Sequence, residues 1–199
     1  MNLNTRLLSS VKRWSVVHTI RQQSVGEHLA LGLLLCEDLF NKIPIASGSR
    51  EDVLRGFLTH DLFEVITNDA PSSVNTLIKN IAGDAWREKI GVLAQKVGVT
   101  KFIPTDGVRV IVRYVDLLES VQFLMQEKLM GNQLVGEVQR HLVGLTNAAL
   151  QSVGDANPHC SAALWAWHDD QIDSSKFSVV FDATNGIVDT TEYPDSNYW

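Results

Sequence analysis

Residues 108–121 read VRVIVRYVDLLESV, a stretch that is apolar on nearly every face of a helix. A helix of that kind has no side to give to water, so other helices must surround it. Thr105 or Asp106 is placed to cap its start, and it should run to about Met130. Gly131 separates it from a further helix over about 133–153. A buried central helix makes the chain a helical bundle.

The flanking segments fit that plan. A short helix is expected over 5–11, followed by an irregular connection over 13–23. Ser24 with Glu27, and Ser49 with Asp52, form two capping boxes. The first opens a helix to about Phe40 and the second a helix through Ile66. Asp69-Ala70-Pro71 breaks the chain. Ser72 or Ser73 starts a segment to about Ile81, another helix covers 84–97, and 161–168 suits a short one. Asn185-Gly186 lies within SVVFDATNGIVDTT (178–191), a strong hairpin signal. The expected class is all-α with a small C-terminal β-hairpin appendage: a main domain over 1–170 and an extension over 171–199.

With 199 residues, 45% hydrophobic and 20% charged, the chain can bury a core and is not disordered. Its net charge of −6 counts against a nucleic-acid polymer as partner. Leu29 to Cys36, the longest apolar run, is too short to span a bilayer. Cys36 and Cys160 make no disulfide framework, so a reducing cytoplasm is the expected setting.

The chemistry concentrates where charge sits in apolar sequence. His60 and Asp61 are adjacent within VLRGFLTHDLFEVI, with Glu64 three residues later. Asp116 lies inside the central helix, and His28 in the first turns of another apolar helix. Burying such groups is costly unless something compensates, and a divalent cation compensates all of them. Two His and two Asp suit Mn, Co, Ni, Fe or Zn, with positions left for water and a substrate oxygen. On a continuous helix Glu64 shares a face with His60 and Asp61.

Each residue also has a plainer explanation. His28 alone fits a core or surface histidine. Asp61 and Glu64 could pair with Arg55 or Lys96, and Asp116 with Arg113. Glu27 is better explained by its capping box than by catalysis, and Trp14 could simply cover a helix entry. One metal site replaces several unrelated buried charges. His168-Asp169, in WAWHDDQID, is expected to be exposed and incidental, and His18, His141 and His159 have no partners at ligand spacing.

The pattern His28 … His60-Asp61 … Asp116 resembles the HD-domain metal phosphohydrolase superfamily. KRWSVVHTIRQQSVGEH (12–28) and HDLFEVITNDAPSSVN (60–75) narrow the likeness. They resemble the YfbR-like 5′-deoxynucleotidases and the phage HD enzymes that remove triphosphate from dATP. The resemblance covers about residues 5–125. It implies an HD-domain helical bundle, with one divalent transition metal held by His28, His60, Asp61 and Asp116. It implies that Glu64 positions or deprotonates the attacking water and that Asp69 is a second catalytic acid. Arg13 and Arg21 would face phosphate, and Trp14 the sugar or base. These families commonly carry a Lys where this chain has Asn75, and Lys79 lies one turn later.

The resemblance therefore implies a hydrolase of deoxynucleotides, with dATP to deoxyadenosine plus triphosphate as the first expectation. A general deoxynucleoside 5′-monophosphatase is the alternative enzyme. A non-catalytic nucleotide-binding regulator and a cyclic-nucleotide or alarmone hydrolase are the other classes. Homo-oligomeric assembly is implied as well, and no membrane partner.

Overall fold

The computed structural model describes residues 6–62, 64–68, 72–96 and 102–173. The expected hairpin at 178–191 and Asp69 lie outside the described residues, and so does the side chain of Lys79. Eight α-helices are described: α1 (Arg6–Ser10), α2 (Val25–Lys42), α3 (Arg50–His60), α4 (Glu64–Thr67), α5 (Ser72–Lys96), α6 (Asp106–Leu129), α7 (Gly136–Ala156) and α8 (Ser161–Gln171). Short 3-10 turns at Gln133–Val135 and Pro158–Cys160 precede α7 and α8. Among the described residues the only β pairing is a single antiparallel bridge, Lys12 to Ser24.

Helix α6 is the axis, as its composition requires. Ile111, Tyr114, Val115 and Leu118 are sealed from solvent, and Thr105 caps the first turn through its side chain. Helices α2, α3 and α7 pack around it. On α2 the buried positions are Val25, His28, Leu29, Gly32, Leu35, Cys36 and Leu39, one stripe at helical spacing. That stripe delivers His28 to the interior. Burial also pushes the Cys36 thiol up to about 12, so it packs as an inert hydrophobe.

The break inside α5 falls at Gly83, whose φ of 53° suits glycine and divides the segment as the sequence suggests. The Ser24 hydroxyl caps α2 by accepting the Glu27 amide at 3.1 Å. The other half of that capping box is not made, because the Glu27 carboxylate pairs with Arg21.

Two expectations are corrected. The helix from Ser49 does not run through Ile66. It ends at His60, and α4 begins at Glu64. The cause is local: His60 Nδ1 donates to the Phe57 carbonyl oxygen at 2.6 Å. That carbonyl is the one Asp61 N–H would use in a continued helix. The second correction concerns His168, which is buried rather than exposed. Its Nδ1 lies 3.0 Å from the Tyr114 hydroxyl and its Nε2 3.2 Å from Asn147 Oδ1.

The segment before α2 is moored at both ends. Arg13 N–H donates to Gln23 O at 2.9 Å, and Val25 N–H to Val11 O at 3.0 Å. The buried Glu127 carboxylate accepts the amides of Ile20 and Arg21 at 2.6 and 2.8 Å. Asn132 Nδ2 donates to His18 O at 2.8 Å.

Candidate metal centre

Three mutually packed helices aim side chains at one point. Helix α2 supplies His28, the end of α3 supplies His60 and Asp61, and α6 supplies Asp116. One nitrogen or oxygen from each lies within 4.8 Å of all the others. Adjacent residues on a continuous helix point about 100° apart. Ending α3 at His60 lets Asp61 Oδ2 turn to within 3.2 Å of His60 Nε2.

Four further spacings are similar. His28 Nε2 is 3.5 Å from His60 Nε2, 3.5 Å from Asp61 Oδ2 and 3.3 Å from Asp116 Oδ1. His60 Nε2 is 3.7 Å from Asp116 Oδ1. These five separations, from 3.2 to 3.7 Å, are short enough for donors that share one divalent ion. The donor chemistry fits as well: two imidazoles and two carboxylates are a borderline-divalent set. His28 is sealed, whereas the Asp116 side chain is 32% exposed, so one side of the cluster opens to solvent.

Electrostatics make the same demand. Burial opposes a charge on His28, yet hydrogen bonds to Asp116 and Glu119 outweigh it and raise its pKa. Burial also opposes charging of His60, and bonds to Asp116 and Asp61 raise it to about 10. Desolvation works against an Asp116 carboxylate, but the two imidazoles hold it well below the usual range. The cluster calls for positive charge at its centre, as protons or as a cation.

Other expected site residues are placed unevenly. Arg13 is brought to the cluster: Nη2 is 3.7 Å from Asp116 Oδ1 and 3.3 Å from Ser120 Oγ. Its neighbour Trp14 has φ 66°, a left-handed backbone costing about 1 kcal/mol. The indole stacks on Phe123 with centroids 5.4 Å apart and donates to Gln23 Oε1 at 3.0 Å. Trp14 thus has a structural role within the protein. Arg21 pairs with Glu27, bonds Gln126 Oε1 at 3.2 Å and lies 5.0 Å over the Phe123 ring. With Glu119 and Phe123 it lines a cavity of about 230 Å³ bordered by α2, α6 and α8. Glu64 is half-buried at the first position of α4 and is not part of the four-donor cluster. The plain pairing expected for Asp116 gives way, since it faces His28, His60 and Arg13. The Arg55 guanidinium lies 5.1 Å over Phe102.

Sequence reasoning missed Glu119 and Gln23. Both are buried and polar, and Glu119 contacts His28, Arg13 and Gln23. The available signal was spacing: Glu119 follows Asp116 by three residues on the apolar helix, hence on the same face.

No protein-family model and no curated protein matches the sequence. A solved structure does match. It is the cyanophage S-2L HD phosphohydrolase DatZ, bound to dA and one catalytic Zn2+ ion, with a TM-score of 0.61 and 22% identity over 86% of this chain and 95% of that one. The chain has the HD-domain helical fold. No described helix is long and apolar enough to cross a membrane.

Proposed function

We propose that this chain is a metal-dependent phosphohydrolase of 2′-deoxynucleotides, with dATP to deoxyadenosine plus triphosphate as the leading reaction. The observation that carries the reading is the meeting of four donor atoms from three helices within 4.8 Å. The shared fold with a phosphohydrolase bound to dA and zinc supports it.

His28, His60, Asp61 and Asp116 would hold one divalent ion, Zn, Mn, Co, Ni or Fe. Such an ion supplies Lewis acidity toward a phosphoryl oxygen and makes water nucleophilic near neutral pH. The protein's own groups do the rest. Glu64 orients the attacking water and takes its proton. The water oxygen bonds to the α-phosphorus while the bond from phosphorus to O5′ breaks. Asp69 delivers a proton to the departing 5′ oxygen. Arg13, held beside Asp116, neutralises a phosphoryl oxygen as charge develops. Trp14 borders the sugar or base, and Arg21 and Lys79 serve the outer phosphates.

The same bond breaks in a monophosphate, which yields deoxynucleoside and phosphate. Whether outer phosphates are accepted separates the triphosphohydrolase from the 5′-monophosphatase. The experiment is a metal analysis of the purified protein followed by incubation with dATP and dAMP. Triphosphate release from dATP supports the leading reaction, and phosphate from dAMP alone supports the monophosphatase. Metal-loaded protein that cleaves neither removes the enzymatic reading. Homo-oligomeric assembly belongs to the same proposal and is read from the mass in solution.

A further inference from the structure

We infer that Glu119 is a positioning residue that holds the metal-facing and phosphate-facing halves of the proposed site with one carboxylate. This inference rests on the metal-centre reading above.

Glu119 is 2% exposed and sits one turn beyond Asp116 on α6. Its Oε2 contacts His28 Nδ1 and accepts Arg13 Nη1 at 3.1 Å. Its Oε1 accepts Gln23 Nε2 at 2.5 Å. Gln23 passes the connection on, because its Oε1 accepts Trp14 Nε1 at 3.0 Å and Arg13 Nη1 at 3.3 Å. One buried carboxylate therefore fixes a donor on α2 and the segment bearing Arg13 and Trp14.

Stability alone is a poor reason for this arrangement. A buried ion pair often does no better than apolar residues of the same volume. Position is the better reason. A carboxylate facing Nδ1 receives the ring hydrogen there, which leaves the Nε2 lone pair aimed at His60, Asp61 and Asp116. The same oxygen stops the Arg13 guanidinium from collapsing fully onto Asp116, where it would compete with a cation. Binding of metal and placement of Arg13 are thus set by a single atom.

Glu119→Gln tests this with little change of shape. An amide cannot accept from all three donors, since its nitrogen must face one of them. Cobalt(II) titration followed by visible absorption reads the metal site independently of turnover. Glu119→Gln should weaken cobalt binding about 10–100-fold and shift its absorption bands. It should also raise KM for dATP when metal is saturating. Gln23→Met, which touches Glu119 but none of the four donor atoms, should weaken cobalt binding several-fold and raise KM. It remains informative if Glu119→Gln does not fold. Folded variants with wild-type cobalt affinity, spectrum and KM overturn the inference while the metal-centre reading stands. Wild-type protein that binds no cobalt overturns both.

Discussion

His60 Nδ1 donates to the carbonyl oxygen of Phe57 at 2.6 Å, which ends α3 and turns Nε2 toward His28, Asp61 and Asp116. A carbonyl only accepts, so the ring hydrogen at Nδ1 is settled by its partner. In the metal-free protein Nε2 carries a second hydrogen at neutral pH, since bonds to Asp116 and Asp61 outweigh burial and raise His60 to about 10. His28 is raised as well.

Metal must therefore compete with protons. Loading at neutral pH should release protons, the one on His60 among them, and affinity should climb with pH. Calorimetry in buffers of different ionisation enthalpy counts them. The metal-free protein should behave in the opposite sense. A raised folded pKa stabilises below the unfolded value of 6.5 and that stability is lost as pH rises toward about 10. Urea midpoints of metal-free protein that rise over this interval would contradict the assignment.

Glu64 opens α4 and stands outside the four-donor cluster, so its removal should spare the metal. Glu64→Ala is expected to keep wild-type metal content and lose about 100- to 10,000-fold in kcat. The variant should also retain bound substrate, which allows capture of the complex. Normal turnover by Glu64→Ala would remove it from the mechanism.

What could be read from the sequence was local or categorical. The Ser24 and Ser49 caps depend on residues three apart, and both hydroxyls accept the expected amides. The central position of α6 follows from apolar residues on all sides, and its burial agrees. The four donors stood out as charges in apolar surroundings, and the fold brings them together. What could not be read was set by distant partners. The end of α3 depends on a side chain taking a backbone acceptor, which periodicity does not encode. His168 has polar neighbours in sequence, yet Tyr114 and Asn147 on other helices enclose it. Glu119 finds its partners 91 to 106 residues away, so spacing alone could suggest it but not explain it.

Gly32 lies directly beneath the Phe57 ring, and a Cβ there would overlap that ring. Phe57 is itself 4.7 Å from the His60 ring and 5.5 Å from the His28 ring, centroid to centroid. Alanine favours a helix over glycine by about 1 kcal/mol. Overpacking a tight core costs about 1–3 kcal/mol. The steric cost should prevail because the obstacle is a buried ring with imidazoles behind it. Gly32→Ala should lower stability and metal affinity together, and adding Phe57→Leu should recover stability. Urea unfolding and cobalt titration of the single and double variants measure both. A Gly32→Ala protein more stable than wild type would show that the ring moves freely.

Glu127 is wholly buried and accepts three donors: the Ile20 and Arg21 amides and Asn132 Nδ2, the last at 2.8 Å. Burial disfavours its charge, but these bonds outweigh it and hold the carboxylate below its ordinary range. The contact fastens the segment containing Arg13, Trp14 and Arg21 to the far end of α6. In Glu127→Gln one donor must meet an amide nitrogen, costing about 1–3 kcal/mol. Looser mooring should raise KM for the deoxynucleotide while metal content stays unchanged, because no cluster donor is touched. The pH dependence identifies the cause. A depressed folded pKa stabilises above the unfolded value of 4.5 and loses that effect as pH falls through the folded value. The stability gap between wild type and Glu127→Gln should therefore narrow in acid. A gap constant from neutral to acid pH would assign the mooring to packing, not to the carboxylate's charge.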